Sequence, residues 1–266
     1  MPVTGKRRYL NLFENILNPQ EYIFKKGKRH KTPLLFTTRP NKISFDVPDS
    51  LYYVFKEIFM EDVYDINQLV LSLPENPVVV DIGANAGFFD IILLSKISKA
   101  KIFAYEPLPS NLAYFKKIIK NNPAIEPYIS VFQAAVTGVE KTAMDLFMED
   151  SSESQVVASA IAGFNFRNTK KITVPCISLS KIVETNQLQH IDLLKIDCEG
   201  SEYDILYNTP ASVLQMARHI AIEVHDIDTE SFNFSTLKKY LESLNYTMTY
   251  TPINDFCFAV DAVLNS

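Results

Sequence analysis

VVVDIGANAG (78–87) is the stretch on which the fold turns. Its first five residues are an almost wholly apolar run, as expected of a strand buried on both faces of a parallel sheet. Two glycines four positions apart, Gly83 and Gly87, follow at once, and the next segment, 87–98, has the pattern of a helix. Gly83 lets the backbone turn sharply and come close to a ligand, and Gly87 lets the helix pack near the strand. A glycine turn by itself also serves plain structural bends, so the neighbouring segments decide its meaning.

The second strand, KIFAYE (101–106), ends on Glu106, nineteen residues after Gly87. In doubly wound folds an acid at this place accepts hydrogen bonds from ribose hydroxyls. Glycine turn plus acid points to an adenosine-containing ligand. A dinucleotide loop carries a further glycine where this chain has Asn85, and no G-K-[ST] triplet of a nucleotide triphosphate loop occurs. Asn85 brings a donor and an acceptor that suit a zwitterionic amino-acid tail. S-adenosylmethionine is therefore favoured over NAD and ATP.

Strand and helix patterns alternate along the rest of the chain. A helix is expected over 109–122, a strand in ISVFQAAV (129–136), a helix over 178–185, and a strand in IDLLKID (191–197). A helix over 201–208, a strand in HIAIEVH (219–225) and a helix over 234–244 come next. YTMTY (246–250) and DFCFAV (255–260) close the chain as an antiparallel pair. Residues 137–175 suggest a hairpin-like excursion around the serine-rich DSSESQ (150–155). This alternation predicts a doubly wound α/β sheet whose ligands bind along the carboxyl edge.

Before Pro74 and Pro77 the pattern differs. Residues 1–50 read as lightly structured, with an amphipathic piece over 9–17 and a short strand pair over 34–38 and 42–47. Apolar residues recur at helical spacing over 51–73, with a break at 62–65. We therefore divide the chain into a basic N-terminal extension or cap, 1–70, and a main domain, 71–266. Residues 1–42 hold ten Lys and Arg against Glu14 and Glu21, a net +8 that leaves −13 for the remainder of a chain whose total is −5. Such a front would meet an anionic partner or act as a solvated arm, and it is also a candidate for self-association into a homo-oligomer. KKGKRHK (25–31) has too few interleaved aromatics for a platform on which bases stack, which argues against nucleic acid.

With 47% hydrophobic residues the chain can bury a sizeable core, which excludes a largely disordered protein. No apolar run reaches the length of a membrane span, and the first residues do not read as a secretory signal. Three scattered cysteines, Cys176, Cys198 and Cys257, with no C-x-x-C, argue against a disulfide framework and against a structural zinc site. The cytoplasm is the expected location.

VVVDIGANAGFF, FAYEPLPSN, IDLLKIDCEGSEYDIL and IEVH, in that order, resemble the FkbM-type S-adenosylmethionine-dependent methyltransferases over 77–260. The resemblance implies a class I methyltransferase fold, a Rossmann-like seven-stranded sheet, mostly parallel with one antiparallel strand and helices on both faces. It implies O-methylation of a hydroxyl on a sugar, glycan, polyketide or other secondary metabolite. Asp81, Gly83, Ala84, Asn85 and Gly87 would then shape the methionine pocket. Glu106 would hold the ribose, Pro107 would fix the turn, and Gln133 and Ala134 would border the adenine.

The fourth strand ends in Lys195-Ile196-Asp197-Cys198-Glu199-Gly200 and the fifth in Glu223-Val224-His225-Asp226. Three roles compete for this group. Asp197 or His225 would act as a general base on the acceptor hydroxyl. Alternatively Asp197, Glu199, Glu223 and His225 would hold a divalent cation, Mg²⁺ or Ca²⁺ for so many oxygens, although a site without metal is favoured. Lys195 would neutralise an acid or the alkoxide. Glu202 reads as a helix cap, and Cys198, between two acids, is a poor nucleophile. A nucleic-acid methyltransferase is the alternative enzyme, but its usual [DNS]-P-P-[YFW] place reads Asp197-Cys198-Glu199-Gly200 here. A non-catalytic binding module and a nicotinamide dehydrogenase are the remaining alternatives.

Overall fold

The computed structural model describes residues 3–25, 32–150 and 158–265. Most of KKGKRHK and of DSSESQ lies outside them. Residues 1–50, expected to be lightly structured, carry α1 (Arg7–Asn15), α2 (Gln20–Lys25) and, at the expected strand pair, the hairpin β1 (Leu34–Thr37) and β2 (Ser44–Val47); the helical spacing over 51–73 becomes α3 (Tyr52–Lys56), a π-helical turn over Glu57–Glu61, and α4 (Ile66–Ser72). The break expected at 62–65 is present: Asp62 and Asp65 both take left-handed backbone, φ 50° and 46°.

The α/β alternation follows with β3 (Val78–Ile82), α5 (Phe88–Lys96), β4 (Lys101–Tyr105), α6 (Pro109–Asn121), β5 (Ile129–Phe132), β6 (Ala135–Thr137), β7 (Ala143–Met148), β8 (Lys170–Ser178), α7 (Leu179–Thr185) and β9 (Leu193–Ile196). The chain ends with α8 (Glu202–Asn208), α9 (Ala211–Leu214), β10 (His219–His225), α10 (Phe234–Ser243), β11 (Tyr246–Asn254) and β12 (Cys257–Leu264). Seven strands form one sheet in the order β11-β12-β10-β9-β3-β4-β5. All are parallel except β12, which runs antiparallel to both β10 and β11. This is the seven-stranded, mostly parallel sheet with one antiparallel strand that the sequence resemblance implies.

Alternation along β3 divides the core into two layers. Val79 packs with α5, α6 and the N-terminal elements, and Val80 and Ile82 pack with α7, α8 and α10. Helix α5 is apolar except for Asp90 and its last two residues, and it is buried from Phe88 to Ser95 because the N-terminal elements cover the side the sheet leaves open.

One expected strand is two. ISVFQAAV breaks after Phe132. Its first half pairs with β4, and its second half joins a three-stranded sheet in the order β6-β8-β7, built from the excursion at 137–175. The strand order of the large sheet reverses at β3 and β9, which opens a crevice at their carboxyl ends.

Candidate active site

The tip of β4 places Glu106 in that crevice, almost fully buried. Its Oε2 accepts the N–H of Asn85 and its Oε1 the N–H of Leu108, both at 2.8 Å. The acid is thus clamped between the glycine turn and the start of α6. Burial pushes its carboxyl up to about 7, against the pull of those two N–H groups.

The turn itself needs its glycines. Gly83 has φ +79°, and a Cβ there would lie 1.8 Å from the backbone oxygen of Asp197. A Cβ on Gly87, φ +78°, would meet the Phe115 ring at 2.1 Å. Asn85 between them is also left-handed, and its buried Oδ1 has no partner among the described residues.

Lys195 ties this turn to β9. Its Nζ stands 3.0 Å from Asp81 Oδ1, donates to the Gly83 carbonyl at 2.9 Å and lies 3.5 Å from Asp197 Oδ2. Burial opposes its charge, but Asp81 and Asp197 outweigh burial and raise its pKa, so it stays an ammonium. Asp90 on α5 lies beside Asp81. Burial first, and the Asp81 charge second, hold its carboxyl well above the usual range. Asp197 receives a second partner from the N-terminal segment: the Tyr64 hydroxyl donates to Oδ2 at 2.8 Å.

A single cavity runs across these strand tips. One end is walled by Gly83, Ala84, Asn85, Glu106, Pro107 and Ala134. Val136, Met144, Leu146 and Ala158 form its apolar side. Lys195, Asp197, Glu199 and Glu223 close the other end, together with Val54, Glu57 and Ile58 from the N-terminal segment. Asp81 and Gly87 stand behind the glycine turn and do not reach the cavity. Gln133, expected at the adenine beside Ala134, is exposed and outside it, because the chain bends where β5 ends.

His225 lies behind the acidic end. Its Nδ1 is 3.2 Å from Glu202 Oε1, and its Nε2 is 3.4 Å from Glu223 Oε1 and 3.6 Å from Glu199 Oε2. Burial lowers its pKa, but Cys257, Glu202 and Glu223 more than reverse that, so without another cation the ring carries its proton and is a poor base. Glu202, fully buried, does not cap α8: it accepts from the N–H of Gly200, ahead of the helix, and of His225 on β10, both at 2.8 Å. Glu199 holds a left-handed backbone, φ 50°, and its carboxyl is pushed up to about 8 by burial and then by Asp197. Burial and then the acids Glu202 and Asp197 raise the Cys198 thiol well above its ordinary value, which fits an inert residue.

Sequence reasoning missed Glu57, Tyr64, Asp90 and Cys257. Asp90 had a signal, an acid inside an otherwise apolar helix. Cys257 had one too: pairing HIAIEVH with DFCFAV sets it opposite His225. Glu57 sits on the π-helical turn, a feature that often marks functional positions. Its carboxyl is raised to about 7, by enclosure at the cavity wall and then by Glu223 and Asp197.

The profile of the Methyltransferase FkbM domain matches residues 81–248. Methyltransferase sdnD of Sordaria araneosa is 27% identical over 198 residues, 64% of this chain and 73% of the relative. Hexuronic acid methyltransferase AglP of Haloferax volcanii is 24% identical over 162 residues, 60% of this chain and 62% of the relative. The 31-O-demethyl-FK506 methyltransferase FkbM of Streptomyces tacrolimicus is 24% identical over 201 residues, 66% of this chain and 75% of the relative.

Proposed function

The chain belongs to the FkbM methyltransferase family, and on that premise we propose that it is an S-adenosylmethionine-dependent O-methyltransferase acting on a hydroxyl of a sugar, glycan or secondary metabolite. The observation that carries this reading is the division of one cavity into a donor end around Glu106 and an acidic end around Asp197. The relatives named for a hexuronic acid and for 31-O-demethyl-FK506 support the substrate class.

The donor end suits the cofactor. Glu106 Oε1 takes the Leu108 N–H and the Asn111 amide, while Oε2 takes the Asn85 N–H and keeps lone-pair capacity for a ribose hydroxyl. The unpartnered Asn85 Oδ1 suits an ammonium, and Met144, Leu146 and Ala158 offer an apolar surface for a purine. When bound, S-adenosylmethionine supplies a methyl group on a positively charged sulfur.

The protein's own task is to position the acceptor oxygen in line with that methyl and to take its proton. Asp197 is the group we assign to the proton. Lys195 and Tyr64 fix Oδ2, which leaves Oδ1 for the acceptor. Glu57 and Glu223 border the same space and would orient neighbouring hydroxyls. The test is a screen of hydroxylated sugars and polyketides with a labelled methyl donor, run with Asp197→Asn alongside the parent. Turnover of the variant should fall about 10²–10⁴-fold while S-adenosylhomocysteine affinity holds. Equal turnover would remove Asp197 from the chemistry, and binding of NAD or ATP in place of S-adenosylhomocysteine would remove the cofactor assignment.

A further inference from the structure

We propose that the acidic end of the cavity contains a binding site for a divalent transition metal of the Zn²⁺ type, with Glu223, His225 and Cys257 as its three protein ligands. The oxygen-rich set expected from the sequence changes because Asp197 is held by Lys195 and Tyr64 and a thiol takes its place in the group.

The ligands are placed by the sheet. Glu223 and His225 are two apart on β10 and so share one face. β12 runs antiparallel beside it, with Cys257 directly paired to His225. Three donor atoms from two neighbouring strands therefore converge without help from any mobile loop.

The ligand atoms of Glu223, His225 and Cys257 all lie within 4.8 Å of one another, close enough for one ion to bridge after small side-chain adjustments. Cys257 Sγ stands 3.2 Å from Glu223 Oε1, and His225 Nε2 stands 3.4 Å from the same oxygen. Metal bonds of about 2.0 Å to nitrogen or oxygen and about 2.3 Å to sulfur put tetrahedral ligand atoms roughly 3.3–3.7 Å apart. The orientation of the imidazole fits as well. Nδ1 faces Glu202, which is fully buried and anchored by the N–H groups of Gly200 and His225. That leaves Nε2 toward the cluster, the carboxylate–histidine–metal arrangement of protein zinc sites.

The donor set selects the class of ion. Thiolate and imidazole suit Zn²⁺, Co²⁺ and Fe²⁺ and disfavour Mg²⁺ and Ca²⁺, which take oxygen. Binding would displace the proton that His225 holds and the proton of the Cys257 thiol. Glu199 and Glu223 line the cavity, so the ion would face the place we assign to the acceptor. An oxygen bound there would have its pKa lowered.

The site stands on ligand geometry and does not depend on the acceptor or on methyl transfer, so its test is a binding measurement. The purified full chain is stripped with EDTA, loaded separately with Zn²⁺, Co²⁺ and Mg²⁺, and passed through a desalting column. Retention of a single equivalent of Zn²⁺ or Co²⁺ and loss of Mg²⁺ are expected. The Co²⁺ form should show a thiolate-to-cobalt charge-transfer band in the near ultraviolet. Cys257→Ser and His225→Gln, checked for fold by circular dichroism, should abolish stoichiometric retention. Should either variant misfold, alkylation of the parent decides: Zn²⁺ should protect Cys257 from iodoacetamide and leave the labelling of Cys176 unchanged. Failure to retain Zn²⁺ and Co²⁺, retention of Mg²⁺ alone, or a Co²⁺ form without the thiolate band and without protection of Cys257 would overturn the proposal.

Discussion

On the function proposed above, Glu106 is the residue at which a change of one proton would reach the cofactor. Ribose hydroxyls are donors, and they need the carboxylate. With its carboxyl at about 7, Glu106 is largely protonated in acid, and S-adenosylhomocysteine affinity should drop about tenfold for each pH unit below that value. Glu106→Ala should cost roughly 2–4 kcal/mol of binding and flatten the profile, read by calorimetric titration across pH. A profile that keeps its slope in Glu106→Ala would place the titrating group elsewhere. The sign for stability is opposite. A raised folded pKa stabilises the ligand-free protein below the ordinary carboxylate range, and that contribution is lost as pH rises through about 7. Lys195 makes a second residue-scale test. Lys195→Met leaves Asp81 buried without its cation and should destabilise the protein by about 3–5 kcal/mol. Asp90→Asn, which replaces an acid whose charged form burial and Asp81 disfavour, should cost about 1 kcal/mol or less in the same denaturant titration. Glu106, Lys195 and Asp197 were legible because each sits at a strand tip whose spacing from the glycine turn is fixed by the fold. Tyr64 was not, because its partner Asp197 is 133 positions away and only the folded chain brings them together.

At the scale of elements, the glycine turn and the tip of β9 are one unit. The backbone of Asp197 passes where a Gly83 side chain would be, so Gly83→Ala strains a left-handed backbone and also pushes β9 from β3. The first effect alone costs roughly 1–3 kcal/mol. Melting should show at least that loss, and S-adenosylhomocysteine should bind more weakly even though no contact group is removed. Gly163→Ala, whose Cβ would meet nothing within 4 Å, controls for left-handed strain without a clash. An equal loss at both glycines would mean that close approach to Asp197 contributes nothing. Most elements could be read from periodicity because a parallel strand buried on both faces leaves a run of apolar residues. The strand at 129–136 misled for the same reason. Its apolar letters continue through Ala134, Ala135 and Val136, but those residues serve the smaller sheet, and the bend between the halves carries no glycine or proline to announce it.

For the whole molecule, the consequential feature is that the N-terminal elements and the methyltransferase sheet share one apolar layer. Phe36 stacks on Phe55 at 4.3 Å, Phe45 on Phe59 at 5.1 Å, and Phe45 meets Phe88 of α5 at 5.4 Å. A helix as apolar as FFDIILL cannot face water on any side, so something must cover it, and that composition was the available sequence signal for the cover. The basic residues of 1–42 drew the reading toward a solvated arm because charge is counted over the segment, whereas burial is decided by the few aromatics between the charges. We therefore expect Phe59→Ala, at the middle of this layer, to cost about 3–5 kcal/mol. Removal of 1–73 should expose Phe88 and the outer side of α5, and take Tyr64 from Asp197 and Glu57 from the cavity wall. The truncated chain should aggregate or bind a hydrophobic dye, and it should neither bind S-adenosylhomocysteine with the parent's affinity nor turn over any acceptor. A truncated protein that stays monomeric, melts cooperatively and binds the cofactor as the parent does would show that the main sheet closes its own core, and that the N-terminal elements act on the acceptor alone.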